Sequence, residues 1–550
     1  MNLNKEQREA IQTETGAWLC LATAGSGKTT VLVERVKRLI LSNTPLNEIL
    51  ALTFTTEAAG NMQDKLGLTL NTNERGGFRT FHSFGLKLIL AEKHHLSWRL
   101  APNPYASGNG YKVLKAVVKA RFGKRLSKRE NDDLKAYISK AKRAKVKLPQ
   151  GLEEVHLVSN KWHGVFLRYD EQMKLEGQLD YDDMIVEAVK LLENPSIRGK
   201  WQFQWVHCDE GQDTDSLQFR MLQLLSEKYG NVFLVADNNQ SMYGFRGAVP
   251  KNIEEFDKWF PHAKTIILPE NFRSTKAIVE FSQKLAPIKN ELTKNMRTSK
   301  ERGLEVRVVN YLGTEDEVEN VIQSIQELSG RSAILARTNQ QIGLFETVLT
   351  ARNIKFHLLG KTGFFRTPEI KNLLNLISFT LSNQEPEIYP QHKLVSLRGM
   401  VRTAHAPEAL QAIVDACNLR DLYSDDDYEE GDNFALGNIN SAITIAGRFK
   451  KLQEFSEFAT RAQHASRKSK KAITLGTIHS SKGLEWPNVF IIGANDGKIP
   501  HEKGDLHEER CIFYVGCSRP ERFLQISYSG QRSRFLDELE REGGFKEIQS

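Results

Sequence analysis

Residues 18–40 read WLCLATAGSGKTTVLVERVKRLI. The apolar run 18–22 predicts a buried strand, and apolar residues at helical spacing from Val31 onward predict the helix that follows. Between them lies the glycine-bearing turn ATAGSGKTT. A strand, such a turn and a helix start direct successive backbone N–H groups and the helix dipole at an anion. Gly25 and Gly27 let the backbone approach phosphate, Lys28 is placed to reach the β- and γ-phosphates, and the Thr29 hydroxyl is placed to hold Mg2+. The strict phosphate-loop pattern has glycine where this chain has Ala22, so the match is slightly irregular. Ala24, Ser26 and Thr30 complete the expected nucleotide-binding set.

A phosphate loop needs a carboxylate on the metal side, and WVHCDEGQD at 205–213 supplies one at the end of a second apolar strand. Asp209 is expected to order Mg2+ with Thr29, and Glu210 to position and deprotonate an attacking water. The pair gains meaning from the strand before it, because two charges at the end of a buried strand need a cation or hydrogen bonds to be tolerated.

Outward from these two stretches, short β-branched runs alternate with longer helical patterns in two groups, at 18–22, 49–54, 205–208, 232–236 and 265–268, and at 306–309, 333–336, 473–475, 489–492 and 524–527. This rhythm predicts parallel-sheet α/β structure in two cores. Stretches without strand rhythm, at 85–178 and 381–471, read as mainly helical insertions. The expected organisation is a first core at 1–84 and 179–275, a basic helical insertion at 85–178, a second core at 276–380 and 472–550, and a reduced second insertion at 381–471. The acidic SDDDYEEGD at 424–432 and the basic SRKSKK before residue 472 are read as surface loops or a hinge.

The chain has 550 residues, 40% hydrophobic and 26% charged, enough for several cores without disulfide or metal staples. No apolar run approaches a membrane span, the amino terminus lacks the apolar core of a signal peptide, and five cysteines form no CxxC pair. A reducing, cytoplasmic protein with no membrane partner and no zinc site is expected. The net charge of +8 is concentrated between Lys112 and Lys147, where fourteen Lys/Arg face three acids, so the rest of the chain is net negative. Such a one-sided segment can neutralise several phosphates.

Further stretches, in order along the chain, are LNKEQREAI, ALTFTTEAAGNM, RTFHSFG, LDYDDMI, FLVADNNQSMYGFRGA, LPENFRST, TIHSSKGLEWPNVFIIG and YVGCSRPERFL. With the phosphate loop and the Asp209–Glu210 pair, they resemble the motif series of superfamily 1 DNA helicases of the UvrD/Rep/PcrA type across nearly the whole chain, the two insertions matching poorly. The resemblance implies two RecA-like P-loop cores and an ATP-dependent enzyme that translocates on single-stranded DNA, 3′ to 5′, and unwinds duplex in replication, repair or recombination. It implies ATP and Mg2+ as cofactors, and as partners single strands, single-strand/duplex junctions and replication or repair proteins, in a bacterial cell or a phage-infected host. Gln7 then reads the adenine edge and Phe272, in place of a usual tyrosine, stacks on it, while Glu485 approaches the ribose. Gln240 senses the γ-phosphate, and Arg273 and Arg519 stabilise charge on the transferred phosphoryl group. The strand is met by Phe54, Thr55, Thr80, His82, Tyr243, Phe245, Arg246 and His479. Phe245 stands where many members have tryptophan, so its stacking area is smaller.

Taken singly, each arginine reads as a surface ion pair and each aromatic as a core residue. Their shared order decides otherwise. A rival from another class is a DNA-stimulated ATPase that displaces proteins or remodels complexes without processive unwinding, and a third reading replaces DNA by RNA, since phosphate tracking and stacking do not require deoxyribose.

Overall fold

The computed structural model describes residues 3–67, 75–105, 109–123, 126, 128–149, 157–242, 244, 249–360, 364–382, 391–424, 435–465, 473–502, 504–545 and 547–549. The chain forms two compact units, Met1–Phe272 with Ile288–Met296, and Arg273–Pro287 with Arg297–Ser550. No helix among the described residues is long and apolar enough to cross a membrane.

Unit 1 is built on strands β1 (Ala17–Ala22), β2 (Ile49–Thr53), β3 (Gly77–Thr80), β4 (Trp205–Cys208), β5 (Val232–Ala236) and β6 (Lys264–Leu268). They lie in the order β3-β2-β4-β5-β1-β6, every pair parallel. Alternate residues face opposite sides, as the two-residue period of a strand requires. Leu50, Leu52, Val206 and Leu234 pack with the helices Phe81–Ala91, Tyr181–Glu193 and Ser216–Ser226. Cys20, Ala51, Phe233 and Val235 pack on the other side with Lys5–Gln12 and Lys28–Leu41. Burial on both faces explains why these strands read as continuous apolar runs.

Unit 2 has a seven-stranded parallel sheet of β7 (Arg307–Asn310), β8 (Ser332–Ala336), β9 (Phe356–Leu358), β10 (Ile473–Thr477), β11 (Trp486–Ile491), β12 (Pro520–Tyr528) and β13 (Glu547–Gln549). Its order is β13-β7-β12-β11-β8-β10-β9.

Both insertions are helical and have cores of their own. In the first, helices Asn109–Phe122, Lys128–Arg143 and His163–Leu175 pack through Leu114, Val118, Leu134, Tyr137, Phe166 and Tyr169. In the second, Pro368–Ser382 shares a core with Ala406–Ala416, Ala435–Ala446 and Leu452–Ala465, through Ile377, Leu410, Ile439 and Phe455. The expected boundary at residue 85 falls inside helix Phe81–Ala91, whose Phe84, Leu88 and Ile89 belong to the core of unit 1. The expected boundary at 381 falls at the end of a helix that already packs with the insertion. Most of the acidic stretch 424–432, and residues 466–472, lie outside the described residues.

Candidate nucleotide and strand sites

Because every strand of the first sheet runs the same way, the turns after β1, β2, β3, β4, β5 and β6 all leave from one edge, where ligands of open α/β sheets gather. Those turns carry Lys28, Phe54, His82, Asp209, Gln240 and Phe272.

The phosphate loop enters its helix through Gly25 and Gly27, with φ of 72° and 81°, values that only glycine adopts without steric cost. A Cβ on Gly27 would also stand 2.8 Å from the Gln7 amide nitrogen. Ala22 remains within β1, in extended backbone where a methyl is harmless, so the loop does without glycine there. The Gln7 amide donates to the Ser26 carbonyl at 2.9 Å, and the Phe272 N–H donates to the Gly25 carbonyl at 2.9 Å. Gln7, the loop and Phe272 are thus brought together, with Phe272 36% exposed and Gln7 buried. Arg35, on the phosphate-loop helix, donates to the carbonyls of Ile11 and Thr13 at 3.1 and 2.8 Å and so ties down the C-terminal end of the helix that bears Gln7.

Around the loop runs a chain of polar contacts. Lys28 Nζ lies 3.6 Å from Asp237 Oδ2, and the Gln240 amide donates to that oxygen at 2.6 Å. The Asp237 N–H donates to Gln212 Oε1 at 3.0 Å, which turns the Gln212 amide nitrogen toward Glu210 Oε2, 2.5 Å away. Asp209 Oδ1 accepts from the Glu210 N–H at 3.1 Å, and its Oδ2 accepts from the Thr29 hydroxyl at 3.4 Å. Glu210 itself sits at φ 54°, ψ 44°, a left-handed conformation that costs a non-glycine residue about 1–3 kcal/mol and that tends to mark functional turns. Gly211 cannot carry a side chain, since its Cβ would meet Leu234 Cδ2 at 2.3 Å.

The electrostatics follow from burial. Desolvation, then the neighbouring Glu210, push the Asp209 carboxyl up to about 7 against the pull of Lys28. Burial likewise raises Asp237, with Lys28 opposing. A carboxylate and a hydroxyl side by side, in a place where negative charge is under-compensated, are the oxygen donors that a hard cation such as Mg2+ takes. Asp237 and Gln212 were not singled out from sequence. The signal for Asp237 was available, for it ends a fully buried apolar strand as Asp209 does.

The remaining candidates divide. Thr55 Oγ1 accepts from the Ala58 N–H and Thr80 Oγ1 from the Ser83 N–H, each as a helix N-cap. His82, mostly buried, sets its ring edge-on to Tyr181 at 5.2 Å. Tyr243, Phe245 and Arg246 lie outside the described residues. In unit 2, Arg273 Nε donates to Glu485 Oε2 at 2.7 Å and its Nη1 to the Ser518 carbonyl at 2.9 Å. Arg519 is buried, bonded to the Val515 carbonyl at 2.9 Å and the Ser518 hydroxyl at 2.7 Å. Glu485 precedes β11 and Arg519 precedes β12, so this group occupies the N-terminal edge of the second sheet, whereas His479 follows β10 at the opposite edge.

Residues 3–261 match the model of the UvrD/REP helicase N-terminal domain, and residues 266–444 and 438–531 that of the UvrD-like helicase C-terminal domain. The chain belongs to the UvrD/REP helicase family. It is similar to DNA helicase II of Haemophilus influenzae, 29% identical over 98% of this chain and 87% of that protein. DNA helicase II of Escherichia coli is 28% identical over 98% and 88%, and ATP-dependent DNA helicase PcrA of Bacillus subtilis 28% over 97% and 83%. The two RecA-like cores, each with a helical insertion, accord with that membership, and the chain is an ATP-dependent helicase.

Proposed function

We propose that this ATP-dependent DNA helicase is a 3′ to 5′ translocase on single-stranded DNA that separates duplex at single-strand/duplex junctions during replication, repair or recombination. The observation that carries the ATP-hydrolysing part of the reading is the closed set of contacts from Lys28 through Asp237, Gln212, Glu210 and Asp209 to Thr29, on one edge of one sheet; the choice of DNA, its polarity and its unwinding rest on the family resemblance. Each member suits one task. Lys28 and the loop N–H groups hold phosphate, and Gln240, bonded to the same carboxylate as Lys28, responds when a γ-phosphate draws Lys28 away. Glu210 accepts the proton of the attacking water, its orientation fixed by Gln212. Thr29 and Asp209 would hold Mg2+, which when bound neutralises charge on the phosphate oxygens. Gln7 and Phe272 select the base, and Arg273 and Arg519 of unit 2 stabilise the transferred phosphoryl group.

Strand contact falls to Phe54, Thr55, Thr80, His82 and His479, with Tyr243, Phe245 and Arg246, three, five and six residues beyond Gln240, as the stacking segment. Forked duplexes with either a 3′ or a 5′ single-stranded tail test the reading, with protein displacement measured alongside. The expected result is unwinding from the 3′ tail only, lost in Glu210→Gln, which should still bind ATP. Displacement without strand separation would favour the remodelling ATPase, and equal stimulation of ATP hydrolysis by RNA would overturn the choice of DNA.

A further inference from the structure

The charge run of the first insertion is not all available to a ligand. Lys142 is buried between Asp180 and Asp183, 2.7 Å from each, and Lys145 pairs with Asp170. Arg143, the last residue of helix Lys128–Arg143, does something different. Its Nε donates to Asp182 Oδ1 at 3.3 Å and its Nη1 lies 3.5 Å from Asp215 Oδ2, so one guanidinium spans two helix starts. Asp182 lies in the first turn of helix Tyr181–Glu193, and Asp215 is the N-cap of helix Ser216–Ser226, accepting from the Gln218 N–H at 2.8 Å.

Each of these starts leads to a different function. Beside Asp182 is Tyr181, an aromatic 60% exposed that meets His82 and Tyr105 edge-on, a surface suited to an unstacked base. Before Asp215 the backbone is taut back to the catalytic carboxylate. The Asp213 N–H donates to the Glu210 carbonyl at 2.9 Å, and the Thr214 N–H and hydroxyl both donate to the Gly211 carbonyl, at 3.2 and 2.5 Å. A displacement at Asp215 therefore reaches the left-handed Glu210 with no slack turn between.

We propose that Arg143 is a positioning residue that couples occupancy of the Tyr181–His82 surface by single-stranded DNA to the placement of Glu210, so that the strand accelerates hydrolysis through the Arg143 bridge. The inference rests on the reading above that this protein hydrolyses ATP on single-stranded DNA. A planar fork with several donors can hold two carboxylates at once, whereas lysine presents one point charge.

The test compares wild type, Arg143→Ala, Arg143→Lys and Asp215→Asn for ATP turnover with and without a saturating oligothymidylate, for KM of ATP, for oligonucleotide affinity and for thermal melting. Asp215→Asn keeps the capping oxygen and removes the charge, so it remains informative if Arg143→Ala does not fold. Both charge-removing variants should lose about tenfold of the strand-stimulated turnover, with basal turnover and KM within about twofold of wild type, and Arg143→Lys should recover part of it. Stimulated turnover within about twofold of wild type in Asp215→Asn overturns the proposal. So does an equal fall in basal and stimulated turnover, which would make the bridge a mere prop. A wild-type enzyme that the oligonucleotide does not stimulate fails earlier, at the proposed function itself.

Discussion

Lys28 and Asp237 define each other. Lys28→Ala should bring ATP turnover below about a tenth of wild type while single-strand binding persists, because a phosphate contact goes and the strand surface stays. It also leaves the Asp237 carboxylate without its cation in a buried place, a loss that can reach about 3–5 kcal/mol unless the group takes up a proton. Lys28→Ala combined with Asp237→Asn should therefore melt higher than Lys28→Ala alone yet remain inactive. Equal melting of the two would mean that Asp237 is satisfied by Gln240 and the backbone without Lys28. At this scale the sequence was legible wherever chemistry demands a residue type at a fixed spacing, as in Gly25, Gly27 and Lys28. It gave no sign of Gln212, and of Asp237 only that it ends a buried strand; which groups they meet is decided by β5 lying in the sheet between β4 and β1, the latter far earlier in the chain.

Among elements, the insertion helix Lys128–Arg143 shows how a charge run misleads. Charge counting expects the segment to neutralise several phosphates, but burial assigns Lys142 to the fold. Lys142→Met should destabilise unit 1 by about 3–5 kcal/mol, since Asp180 and Asp183 stay buried without a cation, and should leave the salt dependence of DNA binding unchanged. The exposed Lys140, replaced by alanine, should instead leave melting intact and flatten that dependence by up to about 0.7–0.9 log unit if it meets a phosphate. Helix Asn339–Ala351 offers a second test. Its buried Glu346 accepts from the Phe364 N–H at 2.9 Å, and burial pushes the carboxyl from the usual 4.5 to about 8, with the Phe364 hydrogen bond and Arg366 pulling the other way. The folded chain then holds a proton that the unfolded chain releases between those values, so stability falls as pH rises through that window, by an amount on the order of a few kcal/mol. Glu346→Gln should match wild type near pH 5 and melt higher at pH 8.5; equal melting at both would show the group to be ionised at no cost. Ten strands were readable as buried apolar runs. The three that were not, GFRT of β3, FHL of β9 and EIQ of β13, are three or four residues long and lie at sheet edges, where pairing with one neighbour rather than side-chain pattern makes the strand.

For the whole molecule, the notable feature is how the chain is shared between its units. Residues 273–287 belong to unit 2, and residues 288–296 return to unit 1 before the rest of unit 2 follows. The returning segment holds the turn that bears Gln240, for Asn239 accepts from the Ile288 N–H at 2.8 Å and donates to the Thr293 hydroxyl at 3.2 Å. A fragment ending at 272 keeps all six strands of the first sheet but strips the Asn239 side chain of these two partners, so it should bind nucleotide more weakly and melt lower than a fragment ending at 296. Indistinguishable fragments would make the return segment incidental. During synthesis the same arrangement sets an order in time. When residue 272 emerges from the ribosome the first sheet can close, but its γ-phosphate sensor is not yet braced, and the next stretch to emerge is one that must wait for strands not yet made. The nascent chain thus spends an interval with a formed phosphate loop, an unbraced sensor and a helix, Lys276–Leu285, that packs on the helix Leu506–Cys517, translated far later.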